Sequence, residues 1–222
     1  MVQTAVVTRV LFLVPFDGRR RFEELSAAVR QNPRARVRFF QRFLLVWWAT
    51  AAAVMLSLLL DGAHPRTIGL RKLHGAEPWL LLAACLFFLL VPLWRARTPG
   101  PYRDAVASQL ARAKALLPVT REERWFFAAV SITAGICEEL VFRGLLPAYF
   151  DKLVPGAPLL GAATSVLGFG FAHFYQGARG IVIATLLGLA LLYISVATGS
   201  IVPAMILHAA NDLRILALVA LL

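Results

Sequence analysis

An all-α polytopic membrane fold is what this sequence predicts: about six transmembrane helices plus one amphipathic interfacial helix. Three observations predict it. Of the 222 residues, 59% are hydrophobic and the mean hydropathy is +0.72, whereas a soluble domain is usually about 45–50% apolar. Several separate apolar runs approach or exceed ~18 residues, the length that argues for a bilayer span. The runs are continuous rather than alternating, which argues against an outer-membrane barrel.

The formal net charge is +11. In a soluble chain that excess would point to nucleic acid. Here the basic residues lie between apolar runs, where they set topology and meet anionic headgroups. The lipid bilayer, not nucleic acid, is therefore the expected partner. Cys85 and Cys137 both lie inside apolar runs. They offer neither a disulfide framework nor zinc spacing. Cys137 adjoins two glutamates, but an apolar setting leaves a thiol inert, so it reads as a small buried side chain.

The elements follow in order. Residues 1–18 hold a short apolar piece, Val10 to Phe16, after Arg9. It lacks the length and the small-residue cleavage site of a signal peptide and reads as an interfacial or loosely ordered segment. Residues 19–42 carry eight arginines against Glu23 and Glu24. The first span covers 43–60. A polar loop, 61–78, leads to a second span at 79–94, with Trp79 and Trp94 at its ends as an aromatic belt places them. Within the basic connection 95–124, Val106, Leu110, Ala113 and Leu117 share one face of an amphipathic helix lying on the membrane surface. The third span covers 125–150, the fourth 158–174, the fifth 180–197 and the sixth 201–222.

Residues 1–124 thus form a basic segment, two spans and the interfacial helix, and 125–222 form a four-helix core. The segment before the first span has eight arginines, and 95–124 has seven Lys+Arg against three acids; the 61–78 loop has three Lys+Arg and 151–157 one. The positive-inside rule then puts both basic segments, and both termini, on the cytosolic side. In a bacterium the location would be the plasma (inner) membrane.

The informative stretch is Cys137-Glu138-Glu139-Leu140-Val141-Phe142-Arg143-Gly144. A charged residue at mid-bilayer costs roughly 2.5–3.5 kcal/mol on insertion scales, so such groups face a bundle interior with partners. Glu139 and Arg143 are i and i+4, in the favourable order for a helical ion pair. Phe169 and His173 repeat the spacing in the fourth span, and His208 and Asp212, with Asn211 beside them, repeat it in the sixth. Each pair shares one helix face.

Glu139 held by Arg143 is an oriented, ionised carboxylate. Glu138, about a quarter turn away, has no local partner and is the one suited to exchange a proton with water as a general base. His173 is placed to share in activating that water or to protonate a leaving amine. His208 with Asp212 or Asn211 could supply donors to a developing oxyanion. Such a set is sufficient to hydrolyse an amide. Alternatives stay open at this level. Intramembrane Glu and His also serve proton-coupled transporters, and a non-proteolytic immunity or scaffold factor would use the same fold. A divalent metal such as zinc could take Glu138, His173 and His208 as ligands. No His-Glu-x-x-His helix is present, Asp212 lacks a second aspartate, and Ser165 near His173 or His208 is the least poor serine option.

Three spaced motifs carry a resemblance: Glu138-Glu139-x-x-x-Arg143, Phe169-x-x-x-His173 and His208-x-x-x-Asp212. In this order they resemble the CAAX prenyl endopeptidase family, also called CPBP or Abi, over about residues 125–215. Phe142-Arg143-Gly144 and Thr198-Gly199-Ser200-Ile201-Val202-Pro203 agree in the flanks. The resemblance implies an intramembrane glutamate-type endopeptidase acting on a membrane protein or peptide substrate. Glu138 and His173 would activate water, His208 and Asp212 would form the oxyanion site, and Glu139 and Arg143 would support them. The last motif residue is often asparagine in that family, and here it is Asp212. The glutamate mechanism requires no cofactor, although many relatives are labelled metalloproteases. Relatives in eukaryotes cut after a prenylated cysteine; nothing in this chain shows a lipidated substrate.

One difficulty of depth arises. Glu138 lies 13 residues from the start of its span, about 20 Å at 1.5 Å per residue, while His173 lies almost at the end of its own.

Overall fold

A computed structural model describes residues 1–221, and every regular element among them is helical. The order is α1 (Val2–Thr8), α2 (Val14–Ala28), α3 (Ala35–Leu60), α4 (Glu77–Arg95), α5 (Pro101–Arg112), α6 (Arg121–Thr133), α7 (Leu146–Leu153), α8 (Pro158–Ala172), α9 (Gly177–Thr198) and α10 (Val202–Leu221). Five stretches are long and apolar enough to cross a membrane: Ala35–Leu60, Glu77–Arg95, Arg121–Leu153, Phe174–Thr198 and Val202–Leu221. Leucines, phenylalanines and tryptophans such as Leu59, Trp79, Phe88, Trp94 and Leu186 are more than half exposed on their outer faces. An apolar surface of that extent belongs against lipid. The chain is an integral, all-α membrane protein.

Two expectations need correction. The fourth span is short: α8 has 15 residues, about 22 Å of helix against a hydrocarbon core of about 30 Å. Pro158 opens it at the first turn, and it ends at His173, where the backbone leaves helical geometry. The expected sixth span is present as far as Leu221, and Leu222 lies outside the described residues.

The N-terminal segment is the second correction. It is neither loose nor superficial. α1 and α2 are joined by a π-helical turn, Arg9–Leu13, and Val6, Val7 and Val10 are buried in the main core with Trp47, Val54 and Leu140. Arg9 donates to Thr50 Oγ1 at 2.9 Å, which partners the one cation in this apolar piece. Gln3 bonds Asp61 and Thr4 bonds Tyr149, whereas Phe16 meets Phe171 and Phe174 edge-on at 5.9 Å. The segment therefore crosses the bundle, from the Asp61 and Tyr149 end to the Phe171 and Phe174 end. A short apolar piece interrupted by arginine carries too weak a periodic signal to show this.

The third span begins at a capping box. Thr120 Oγ1 accepts from Glu123 N–H at 3.1 Å, and Glu123 Oε2 accepts from the Thr120 and Val119 N–H groups. Arg36 of α3 reaches the same carboxylate at 3.4 Å. From there the chain stays helical to Leu153, widened into π turns at Ala134–Glu138 and Leu140–Leu145. Such turns are rare and recur at functional sites.

The connection 61–76 is more than a polar loop. Ile68 is buried, Gly69 carbonyl accepts from Ile201 N–H at 3.0 Å, and Ser200 Oγ donates to Arg71 carbonyl at 2.7 Å. The same Ile68 carbonyl and Ile201 side chain lie against Gly144. α10 consequently starts inside the bundle, level with Gly144, rather than at its rim.

Candidate active site

The depth difficulty disappears once the helices are measured from their shared turn. Glu138 lies 15 residues before Leu153, and His173 lies 15 residues after Pro158. The two helices form an antiparallel hairpin, so both residues come to the same level. α10 starts level with Gly144, six residues beyond Glu138, and His208 follows Ile201 by seven. All three motif positions thus meet at one height.

Glu139 is the centre of this layer. It is fully buried, and its Oε1 accepts from Arg143 Nη1 at 2.9 Å and from His208 Nδ1 at 2.8 Å. Arg143 donates its other branch to the Gly188 carbonyl of α9 at 3.0 Å and stacks over Phe169 at 4.3 Å. The expected Glu139–Arg143 pair is present, and it also holds His208, which the sequence grouped only with Asp212 or Asn211. With its Nδ1 committed to a carboxylate, His208 turns Nε2 outward, 3.7 Å from Asp212 Oδ2. Asn211 is occupied on the same carboxylate, donating to Asp212 Oδ1 at 3.2 Å and accepting from Arg214 at 2.9 Å.

Phe169 contacts both imidazoles. Its ring lies 4.8 Å from that of His173 and 5.5 Å from that of His208. Phe142 meets it edge-on at 5.3 Å. His173 Nδ1 donates to the Phe169 carbonyl at 2.8 Å, which leaves its Nε2 free. Glu138 is buried and makes no direct hydrogen bond among the described residues, although the charges of His208, Asp212, Glu139 and Arg143 all act on it.

Close helix approach makes this arrangement possible. A Cβ on Gly135 would come within 2.6 Å of the Met205 carbonyl and 2.7 Å of Ala209 Cβ. Glycine there lets the π turn before Glu138 touch α10. A Cβ on Gly188 would press Arg143 Nη2 and Phe169, each at 3.2 Å. Neither glycine lies in a motif, and sequence reasoning missed Gly188 altogether: one carbonyl in an unbroken apolar helix carries no sequence signal.

The remaining candidates sort simply. Ser165 is buried with no hydrogen-bond partner and no bond to either histidine among the described residues. Ser131 and Ser195 donate to carbonyls of their own helices. Cys137 is wholly buried. Among the described residues, no group of three His, Cys, Asp or Glu side chains is disposed to hold a metal ion. Glu138, His173 and His208 share a layer but do not make such a group.

The fold and this layer define a class: a polytopic membrane protein with a charged, histidine-bearing site in its helical interior. Comparison with protein families narrows it. Residues 120–214 match the family described as type II CAAX prenyl endopeptidase Rce1-like, the family that the three motifs resemble. The family is one of proteases. The match begins at the capping Thr120 and ends just past Asp212, and it takes in every site residue named above. Neither a curated protein nor a solved structure matches the chain closely enough to add to this.

Proposed function

We propose that this protein is an intramembrane endopeptidase in which Glu138 activates water against a peptide bond of a membrane-associated substrate. The observation that carries the reading is the two-handed Glu139 carboxylate. It gives Arg143 and His208 one common anchor and so aims the free edge of His208 into the layer that Glu138 and His173 share.

In this reading Glu138 takes a proton from water as the oxygen attacks the scissile carbonyl carbon. The carbonyl oxygen becomes an oxyanion, and His208, protonated on both nitrogens, donates from Nε2 to it while Nδ1 stays on Glu139. Asp212 stands beside Nε2 as a charge partner in the resting site. The proton then passes to the leaving amine nitrogen from Glu138 or through Nε2 of His173, and the C–N bond breaks. Substrate and products remain in or at the bilayer, and a prenylated peptide is one candidate class. No step is routed through a metal.

The test is cleavage of membrane peptides, including prenylated ones, by the purified protein and by Glu138→Ala. Comparison of membrane-protein termini between wild-type and Glu138→Ala cells finds the natural substrate. The variant is expected to lose cleavage by at least about 10²-fold, the scale of general-base catalysis. Equal cleavage by both would remove Glu138 from the mechanism.

A further inference from the structure

α10 carries one arginine, Arg214, just past Asp212. A guanidinium inside a span needs a partner, yet Arg214 forms no direct ion pair among the described residues. It is half-buried, and its Nε is shut off from solvent without a hydrogen bond. Its Nη2 donates to Asn211 Oδ1 at 2.9 Å, and Asn211 Nδ2 donates in turn to Asp212 Oδ1 at 3.2 Å. Chemistry fixes the direction of this relay. A guanidinium has donors only, so the amide turns its oxygen to Arg214 and its nitrogen to the carboxylate. The other guanidinium of the layer, Arg143, is spent on Glu139 and the Gly188 carbonyl. Asp212 Oδ2 stands 3.7 Å from His208 Nε2, too far for a hydrogen bond. An ionised carboxylate that near an imidazolium N–H closes on it unless it is held elsewhere, because the charge-assisted bond is short and strong. Closure would take from the oxyanion the donor that the proposed mechanism assigns to it.

We infer that Arg214 is a positioning residue: through Asn211 it holds the Asp212 carboxylate off His208 Nε2 and keeps that N–H free for the oxyanion. The role rests on the endopeptidase reading, since only a developing oxyanion needs the N–H free. It depends on position 212 being an aspartate. A neutral amide at that position would bind the N–H more weakly and need no restraint, so Arg214 and Asp212 act as a pair.

The state of His208 Nε2 tests this without requiring turnover. Protein with isotope-labelled histidine is placed in phosphatidylcholine nanodiscs, and the His208 ring N–H signals are read by NMR, assigned by their loss in His208→Ala. Arg214→Gln should move the Nε2 proton downfield as Asp212 closes on it. Asn211→Ala should do the same without removing a charge, which covers the case in which Arg214→Gln does not fold. Arg214→Lys, which keeps a charged donor, should leave the signal at its wild-type position. In an Asp212→Asn background neither Arg214→Gln nor Asn211→Ala should move it. Turnover should follow the same pattern. Arg214→Gln is expected to lower kcat by about tenfold with KM unchanged, less than the roughly 10²–10³ of losing an oxyanion donor outright. In the Asp212→Asn background the same change should alter kcat by less than about twofold, because the two residues are coupled. A signal unmoved by both Arg214→Gln and Asn211→Ala would overturn the proposal. So would a shift or a kcat loss that persists with Asp212→Asn, since Arg214 would then act on the fold and not on Asp212. Failure of the endopeptidase reading would show instead as absent cleavage by the wild type, with the pattern of signals unaffected.

Discussion

At the scale of the residue, one carboxylate oxygen organises the site. Glu139 Oε1 binds a guanidinium and an imidazole from different helices, in an interior where removing one member of a buried charged set costs about 3–5 kcal/mol. That places His208 and leaves Asp212 a secondary part, 3.7 Å from Nε2. The two should therefore differ on substitution. His208→Ala is expected to lower kcat by about 10²–10³, the usual effect of removing an oxyanion donor. Asp212→Asn, which keeps the shape and the bond from Asn211, should retain at least about a tenth of wild-type kcat. Single-turnover cleavage of one peptide by both variants checks this. The donor geometry also bears on metals: Nδ1 of His173 and of His208 are each spent on protein oxygens, which leaves only Nε2 of each open to a ligand, and among the described residues no group of three His, Cys, Asp or Glu side chains is disposed to hold an ion. Cleavage is accordingly expected to persist after exhaustive chelation, with elemental analysis showing no bound metal; loss of activity restored by zinc would reverse the assignment.

At the scale of the element, function depends on where helices start and how closely they cross. The capping box at Thr120 sets the start of the span that carries Glu138, and Arg36 ties that start to α3. Ile201, bonded to Gly69, sets the internal start of α10. Gly135 lets the two touch. A Gly135→Ala methyl would fall within 2.6 Å of the Met205 carbonyl, a backbone atom with little freedom to yield, and overpacking of this kind costs about 1–3 kcal/mol. The change should lower the thermal midpoint and, by moving α10 three residues before His208, reduce cleavage by at least about tenfold. Thermal unfolding in detergent, with kinetics on the folded fraction, would show whether both fall together. Thr120-x-x-Glu123 carries a capping-box pattern that the sequence reading did not use; the glycine contact carries none, because its partners lie 70 residues away.

At the scale of the whole molecule, the N-terminal helices change the topology to be expected. Gln3 and Thr4 lie with Asp61 and Tyr149 at one end of the bundle, and Phe16, Arg19 and Phe22 lie with Phe174 and Tyr175 at the other. If the basic segments 30–42 and 95–124 face the cytosol, the start of α1 faces away from it, whereas reading charge alone placed it inside. With Cys85 and Cys137 replaced by serine, single cysteines at Gln3 and Arg30 should react oppositely with an impermeant maleimide added to intact cells: Gln3→Cys labelled, Arg30→Cys protected. Labelling of both, or of neither, would contradict a traversing N-terminal segment.

The sequence by itself determined the all-α membrane class, the three polar pairs and the family they resemble. Those depend on local quantities: run length, i and i+4 spacing, and charges that hydrocarbon does not tolerate unpartnered. The pairing of Glu139 with Arg143 was legible for the same reason. Only the tertiary structure decided that Glu139 also holds His208, that α8 stops short, that α10 starts inside the bundle, and that the N-terminal helices pack into the bundle. Each of these depends on contacts between residues far apart in the chain, where close approach at Gly135 and Gly188 and the inward fold of Ile68 set which atoms meet. A one-dimensional pattern of apolar and polar residues specifies faces and lengths; it does not specify depth or neighbour.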